Sequence, residues 1–591
     1  MTVPLEITES QRSLLQRAAI LGRNLKFAAV GAVAAALLAT TARLLGPLAV
    51  RSGIDEGISA NDKGAITAAA IVFIGLLVIQ YFAQRLAQYS IAWLGERYLL
   101  LLRNTLFGHL ISLDMGFFSR SKAGVLVSRM TNDIESLTEF VEEGAVTFLT
   151  SLLTVVGVAI VMVAVDWQLA LVVFVIILIV LATSFVFQRF ASRAYRDVRE
   201  TIGRVLASLQ EGITGVRVVQ AFTQEGEQAG AFGRVNEDYY EANMRAAKAI
   251  AWYFPGVAFL RTVAIGAVLF FGGRRVLDGD LTFGSLVAFL FYLDWFFQPI
   301  IQLSHIYNQL QSAVAALGKV FRLFDTVPSV LEQPDATDVP AGAPGAIELD
   351  RVEFAYVPGT PVLSDIAMSV AAGERVAVVG ETGAGKTTIA KLLLRFYDPG
   401  AGTVSVDGHD LRNLTFAARA RTISLIPQEG FLFNGTLRDN LRYAKPEADD
   451  RQIRAVCIEM GIDDWVDSLP DGLDTEVRER GSRFSAGERQ LVALARAFLA
   501  DPAVIVLDEA TSNLDPETEA KVERALNVVL NSRTAVVIAH RLNSAERADR
   551  IVMMDGGRII AQGRHAELVA AGGPYARLVE VWSRGAGLRP D

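Results

Sequence analysis

The sequence predicts two joined architectures: an all-α membrane domain of six spanning helices with long cytoplasmic extensions, then an α/β domain on a mostly parallel sheet. Six long apolar segments fill the first half of the chain, and basic residues crowd the connections between them. Beyond residue 346 the texture changes to short β-branched runs alternating with helical stretches. At 591 residues the chain exceeds what one hydrophobic core organises, so at least two domains are expected.

Composition narrows the function classes. Hydrophobic residues make up 52% of the chain and charged residues only 20%, with a mean hydropathy of +0.35. The formal net charge is −8. That balance gives no basic signature for a nucleic-acid partner. The single cysteine, Cys457, excludes an intrachain disulfide and a cysteine-rich metal site, and is expected to be a small buried hydrophobe.

The apolar segments cover about 27–50, 65–87, 144–165, 168–187, 250–273 and 281–303. Most approach the ~20 residues a helix needs to cross ~30 Å of hydrocarbon. The charged stretch before the first segment, and that segment's length, read as a retained anchor rather than a cleaved leader. Arg12, Arg17, Arg23 and Lys26 precede the first span, and Arg97, Arg103, Arg120, Lys122, Arg129, Arg189, Arg193, Arg196, Arg199 and Arg204 fall on the long connections. The positive-inside rule then puts both termini and those connections in the cytoplasm. Arg274 and Arg275 on the last external loop run against the rule, with Asp278 and Asp280 offsetting them. The connections 97–143 and 188–249 are amphipathic at helical spacing, so long helices joined by short turns are expected. Asp166-Trp167-Gln168 marks a tight hairpin between the third and fourth spans.

The expected division is 1–325 for the membrane domain, a Pro/Gly/Ala-rich linker over 326–346, and 347–585 for the α/β domain. In the latter, strands are expected at Arg375–Val379, Thr422–Ile426, Val504–Leu507 and Ala535–Ile538. The first runs into Gly380-Glu381-Thr382-Gly383-Ala384-Gly385-Lys386-Thr387, and a helix is expected over Thr388–Tyr397. Glycines there let backbone N–H groups curl around phosphate oxygens at a helix N-terminus. Lys386 would reach the β- and γ-phosphates and Thr387 would ligate Mg²⁺. Val504–Leu507 ends in Asp508 and Glu509, a carboxylate for Mg²⁺ followed by one placed to polarise the attacking water.

Further motifs follow in order. Phe484-Ser485-Ala486-Gly487-Glu488-Arg489-Gln490 and the upstream Thr475–Gly481 precede Asp508. Gln428 follows the second strand, Ser512-Asn513-Leu514-Asp515 follow Glu509, His540 follows the last strand, and Tyr356 precedes the loop. Phe117-Phe118, Ser128–Asp133 and Glu211–Gly215 lie on the long connections. In this order and spacing they resemble the ABC transporter family, exporter type, with membrane and nucleotide-binding domains fused as in multidrug and lipid exporters; the resemblance covers nearly the whole chain. It implies a half-transporter ATPase using ATP and Mg²⁺, embedded as a multi-pass protein in a bacterial inner or plasma membrane, with the nucleotide-binding domain in the cytoplasm. Tyr356 would stack on adenine, Gly380 to Thr388 hold the phosphates, and Gln428 sense Mg²⁺. Glu509 would be general base, His540 would steady the γ-phosphate, and Asp515 would sit in the D-loop. Ser485, Ala486, Gly487 and Glu488 would complete the ATP site of a second chain.

Phe484, Ala486 and Glu488 depart from the family's usual Leu-Ser-Gly-Gly-Gln, which favours a heterodimer with a second half-transporter over a homodimer. The resemblance further implies export or flipping of a hydrophobic or amphiphilic compound, with uptake of an anionic amphiphile such as a fatty acid or siderophore as the alternative. Arg43, Arg85, Arg261, Asp294 and His305 lie in or at the ends of apolar spans, where ionisable groups are costly. Arg43, Arg261 and Asp294 are the substrate candidates, with pairing of Arg261 to Asp294 or snorkelling as the alternative. Membrane lipids complete the expected partners.

Overall fold

The computed structural model describes residues 11–339, 342–508, 516–539 and 541–585. The chain divides into two compact units: Met1–His109 with Gly124–Asp325, and Leu110–Ala123 with Thr326–Asp591.

Among the described residues the first unit is built of helices and short turns. Its long helices are α1 (Lys26–Ser52), α2 (Lys63–Ser112), α3 (Ala145–Val165), α4 (Trp167–Thr214), α5 (Glu225–Leu277) and α6 (Phe283–Phe324). Among the described residues five helical stretches are long and apolar enough to cross a membrane: Arg23–Ile58, Lys63–Ser112, Ala123–Val165, Trp167–Thr214 and Glu225–Leu277. The expected sixth segment, 281–303, lies on α6, a continuous helix outside that set of five. At ~1.5 Å per residue, the 48 and 53 residues of α4 and α5 far exceed a bilayer core, so both carry the expected extensions. They are joined through the short helix Val216–Ala221. The other long connection is likewise helices joined by short turns: α2 stops at Ser112, a short helix covers Met115–Arg120, and from Ala123 the chain is helical, through π-helical turns at Arg129–Asp133 and Phe140–Gly144, into α3.

Polar anchors fix the loops of this unit. Asp166, extended between α3 and α4, accepts from the Leu169 amide at 2.9 Å, and its two oxygens both accept from Arg275 Nη1, at 2.7 and 2.8 Å. That contact explains the arginine that ran against the charge rule: it is held by a carboxylate that caps a helix. Asp55 likewise accepts from the Thr282 hydroxyl at 2.6 Å and the Gly284 amide at 2.8 Å, tying the end of α1 to the start of α6. Between them lies a core of α3, α4, α5 and α6 side chains, where buried Tyr292 donates to the Leu44 carbonyl at 2.6 Å.

The second unit is built on two sheets. Strands are β1 (Ile347–Phe354), β2 (Leu363–Val370), β3 (Arg375–Gly380), β4 (Ala401–Val406), β5 (His409–Asp410), β6 (Ile423–Ile426), β7 (Val504–Asp508), β8 (Thr534–Ile538), β9 (Arg550–Asp555) and β10 (Arg558–Gly563). An antiparallel sheet runs β2-β1-β4-β5, and a six-stranded sheet runs β10-β9-β3-β8-β7-β6, parallel from β9 to β6. The near-continuous apolar runs of β3, β7 and β8 follow from burial on both faces. Ala377, Val379, Ile505, Leu507, Ala535 and Val537 face one core; Val376, Val378, Val504, Val506, Val536 and Ile538 face the other, shared with the antiparallel sheet. The expected strands are present, although Thr422 closes the preceding helix instead of opening β6.

Candidate functional site

Every parallel strand from β3 to β6 releases its chain at the same edge, because the ladder pairs Val378 with Ile538, Asp508 with Ile538, and Ile426 with Leu507. Ligands of open parallel sheets bind beyond such carboxyl ends. There β3 leads through 381–385 into the helix α7 (Lys386–Leu393). Two glycines in that turn answer steric demands. At Gly380, with φ +150°, a Cβ would sit 2.2 Å from the Met554 carbonyl oxygen; at Gly385, φ +101°, it would meet Leu363 at 2.6 Å. Lys386 is buried and its ammonium donates to the Gly380 and Glu381 carbonyls at 2.7 and 3.0 Å. The loop therefore carries its cation inside a ring of backbone at a helix N-terminus, the arrangement that receives a polyphosphate. Glu381, Thr382, Gly383 and Thr387 are exposed, and Ala384 and Thr388 are buried beneath them. Helix α7 ends at Leu393, short of the expected Tyr397, where Arg395 takes φ +48°.

Tyr356 lies beside this helix. Its hydroxyl is 3.1 Å from that of Thr388, the Lys391 ammonium sits 5.3 Å over its ring, and Tyr397 meets it edge-on at 5.2 Å. Tyr397 in turn contacts Ser119, hydroxyl to hydroxyl at 3.1 Å, on the short helix Met115–Arg120. One of the two connecting segments singled out in the sequence thus reaches the aromatic cluster through Tyr397, a residue no motif marked. Gln428 is exposed just past β6, and Asp508 is half-buried at the end of β7. Glu509, Asp515 and His540, expected in the catalytic set, lie outside the described residues, as does the side chain of His305. The Ala539 amide donates to the Val378 carbonyl at 3.1 Å, extending the β3–β8 ladder by one residue.

Thr387 is exposed in the first turn of α7 and Asp508 is half-buried at the end of β7, a hydroxyl and a carboxylate of the oxygen type that a hard divalent cation takes. Among the described residues no cluster of three or more His, Cys, Asp or Glu side chains placed to hold a metal exists.

The signature stretch opens α8 (Ala486–Ala500). Exposed Ser485 caps it: its hydroxyl accepts from the Glu488 amide at 3.2 Å while Glu488 accepts from the Ser485 amide at 2.7 Å. The serine O–H hydrogen stays available to donate outward. The second carboxylate oxygen of Glu488 accepts from Trp465 Nε1 at 2.8 Å, and Trp465 packs on Phe484. Buried Gln490 donates to the Pro427 carbonyl at 3.0 Å, so α8 holds the residue preceding Gln428. Arg496 donates to the Asn440 and Phe431 carbonyls, both at 2.6 Å; burial lowers its guanidinium to about 10. Trp465 and Asn440 lie outside every motif, and Gln490 gains a role only once β6 is placed beside α8.

In the membrane unit the three substrate candidates come together on α1, α5 and α6. Arg261 pairs with Asp294, the alternative weighed from sequence, and Arg43 lies over the Trp295 ring at 4.7 Å.

Two family models match the chain: the ABC transporter transmembrane region over residues 30–300 and the ABC transporter domain over 363–512. The chain belongs to the ABC transporter family. It is 37% identical to the ABC transporter ATP-binding protein YknV of Bacillus subtilis over 92% of this chain and 90% of that protein. It is also 35% identical to an ATP-dependent lipid A-core flippase of Thiobacillus denitrificans, over 93% and 95%. Among solved structures, a bacterial Atm1-family ABC exporter with ATP bound superimposes with TM-score 0.77 at 26% identity, covering 96% of this chain and 99% of that one. The transporter is thus a multi-pass membrane protein of exporter architecture that binds and hydrolyses ATP, and half-transporters of this kind work as dimers.

Proposed function

We propose that the transporter exports or flips a hydrophobic or amphiphilic compound by alternating access, driven by closure of two nucleotide-binding domains on shared ATP. The observation that carries this reading is the pair of complementary half-sites on one domain: a phosphate loop with an internal lysine, and a serine-capped helix end presented at the surface. Each of these has the donors for one side of a triphosphate, so two chains together close around ATP. Mg²⁺ would be held by Thr387 and Asp508 and would neutralise charge developing on the phosphates. Glu509 is assigned as general base, His540 as the γ-phosphate contact, Gln428 as the Mg²⁺-facing sensor, and Asp515 to the interface. The second chain is assigned to another half-transporter, on the divergent Phe484, Ala486 and Glu488.

Cargo chemistry is inferred from the span cluster. Two arginines and one aspartate leave one net positive charge among apolar helices, and Asp294 is already paired to Arg261. Arg43 then favours an amphiphile with an anionic group, whichever way it travels. ATPase stimulation by anionic amphiphiles is the test. Arg43→Ala should lose it, with basal turnover retained; unchanged stimulation overturns the cargo reading. Inside-out vesicles loaded with the responding amphiphile give direction, and ATP-dependent accumulation supports export.

A further inference from the structure

Lys391 stands on α7 in a place the phosphate loop does not account for, and its ammonium meets an aromatic ring instead of a carboxylate. It follows Thr388 by about one turn, so the two side chains share a face of the helix. That face meets Tyr356: the Thr388 hydroxyl is 3.1 Å from the phenol oxygen, and the Lys391 ammonium lies 5.3 Å over the ring centre. Among the described residues no carboxylate pairs with Lys391; Asp398, the next acid along the chain, is taken by Arg395 at 2.9 Å.

Two further rings hold Tyr356 from the sides. Phe354 meets it at 4.8 Å and 89°, and Tyr397 at 5.2 Å and 85°. The tyrosine is half-buried, which leaves part of the ring open to a ligand. Between Thr388 and Leu393 every side chain except that of Lys391 is buried, and Ile389, Ala390, Leu392 and Leu393 enter the same core as Phe354. The lysine is therefore carried at a fixed level beside the ring. Aromatic faces carry negative charge, so a base lying flat on a phenol ring brings two such faces together. A cation over the ring attracts its π density, which lowers that repulsion.

We propose that Lys391 is a positioning residue for nucleotide binding: its ammonium holds and polarises the Tyr356 ring as the surface on which the base stacks. This role rests on the reading that Tyr356 stacks on adenine. It concerns the base alone, because the phosphates are assigned to Lys386 and the loop amides.

Inorganic tripolyphosphate separates the two parts of the nucleotide. Binding of ATP and of tripolyphosphate to the full-length transporter in nanodiscs is measured by calorimetry, with EDTA present so that no turnover occurs. Retained tripolyphosphate binding shows that each variant is folded. Lys391→Met, which keeps the apolar stem and removes the charge, should weaken ATP several-fold and leave tripolyphosphate unchanged, and Lys391→Arg should restore ATP binding. In a Tyr356→Leu background Lys391→Met should have no further effect. Equal weakening of both ligands means a charge acting on phosphate and overturns the proposal, as does ATP binding unaffected by Lys391→Met. A selective loss that persists in the Tyr356→Leu background overturns the route through the ring. Tyr356→Leu alone judges the stacking surface. If it binds both ligands as the wild type does, the adenine reading fails and takes the lysine's role with it. If it loses ATP selectively while Lys391→Met does not, the adenine reading stands and only the lysine's role falls.

Discussion

Glu488 stands where the family's usual signature carries glutamine, and the fold makes that difference consequential. Each of its two carboxylate oxygens accepts one hydrogen bond, from the Ser485 amide at 2.7 Å and from Trp465 Nε1 at 2.8 Å. A carboxylate satisfies both donors; an amide has one acceptor oxygen and would turn its NH₂ toward the other donor. Glu488→Gln therefore sets a donor against a donor. Hydrogen bonds to charged groups contribute about 1.5–3 kcal/mol, and partial exposure places this loss near the lower end, at about 1–2 kcal/mol. Loss of a negative charge in the first turn of α8 adds a few tenths, roughly 0.3–1 kcal/mol. In a Trp465→Phe background the second donor is gone, so the same substitution should cost only the charge term. Hydrogen–deuterium exchange at the Glu488 amide reads the local opening free energy in both backgrounds, and the double-mutant cycle isolates the coupling. A coupling energy near zero would refute the claim that Glu488 and Trp465 are one unit.

Cys457 and Asp114 give two further expectations. Burial first, then the nearby Asp463 charge, raises the Cys457 thiol to about 11, so at pH 8 only about one molecule in a thousand carries the thiolate. Disulfide reagents should leave the native protein unmodified and titrate one thiol after denaturation; rapid native labelling would contradict the buried placement. Asp114 caps the helix Met115–Arg120 through the Phe117 amide at 3.0 Å and accepts from the Ser329 hydroxyl at 2.7 Å. Burial opposes its charge, yet the donors at Ser329 and Phe117 prevail and hold the carboxyl below its ordinary value. A depressed folded pKa gives stability that is present above the unfolded value of about 3.9 and lost as pH falls through the folded one. Protection of the Phe117 amide should accordingly drop below about pH 4, and Asp114→Asn should remove that dependence; an unchanged acid profile in the variant contradicts it.

Hydropathy and glycine chemistry made the larger outlines legible. Apolar runs near bilayer length can hardly be anything else when repeated, and Gly380 and Gly385 are read from sequence because no other residue fits those backbone positions. The internal breaks were less legible. The connection 97–143 reads as long helices joined by short turns, but the place of the turn is not marked, because Asp114, which follows one helix and caps the next, looks like any charged surface residue until Ser329 is seen opposite it. Trp465, Tyr397 and Gln490 were invisible as functional supports for the same reason. Their partners Glu488, Ser119 and Pro427 are distant in sequence, so only the folded sheet and α8 bring them together. Arg275 shows the converse: a charge that contradicts a rule of composition is explained by a single contact to Asp166.

The central claim is that ATP is held between two chains, each giving a phosphate loop to one site and a signature serine to the other. The most direct measurement uses the full-length Glu509→Gln transporter with whichever half-transporter co-purifies, incubated with Mg²⁺ and ATP and passed rapidly through a sizing column. Particle mass and retained nucleotide are read together. A two-chain particle holding intact ATP without turnover is predicted, and adding Ser485→Ala to both chains' equivalent positions should release the nucleotide. Continued turnover, or ATP held with equal firmness by a single chain, would contradict the account.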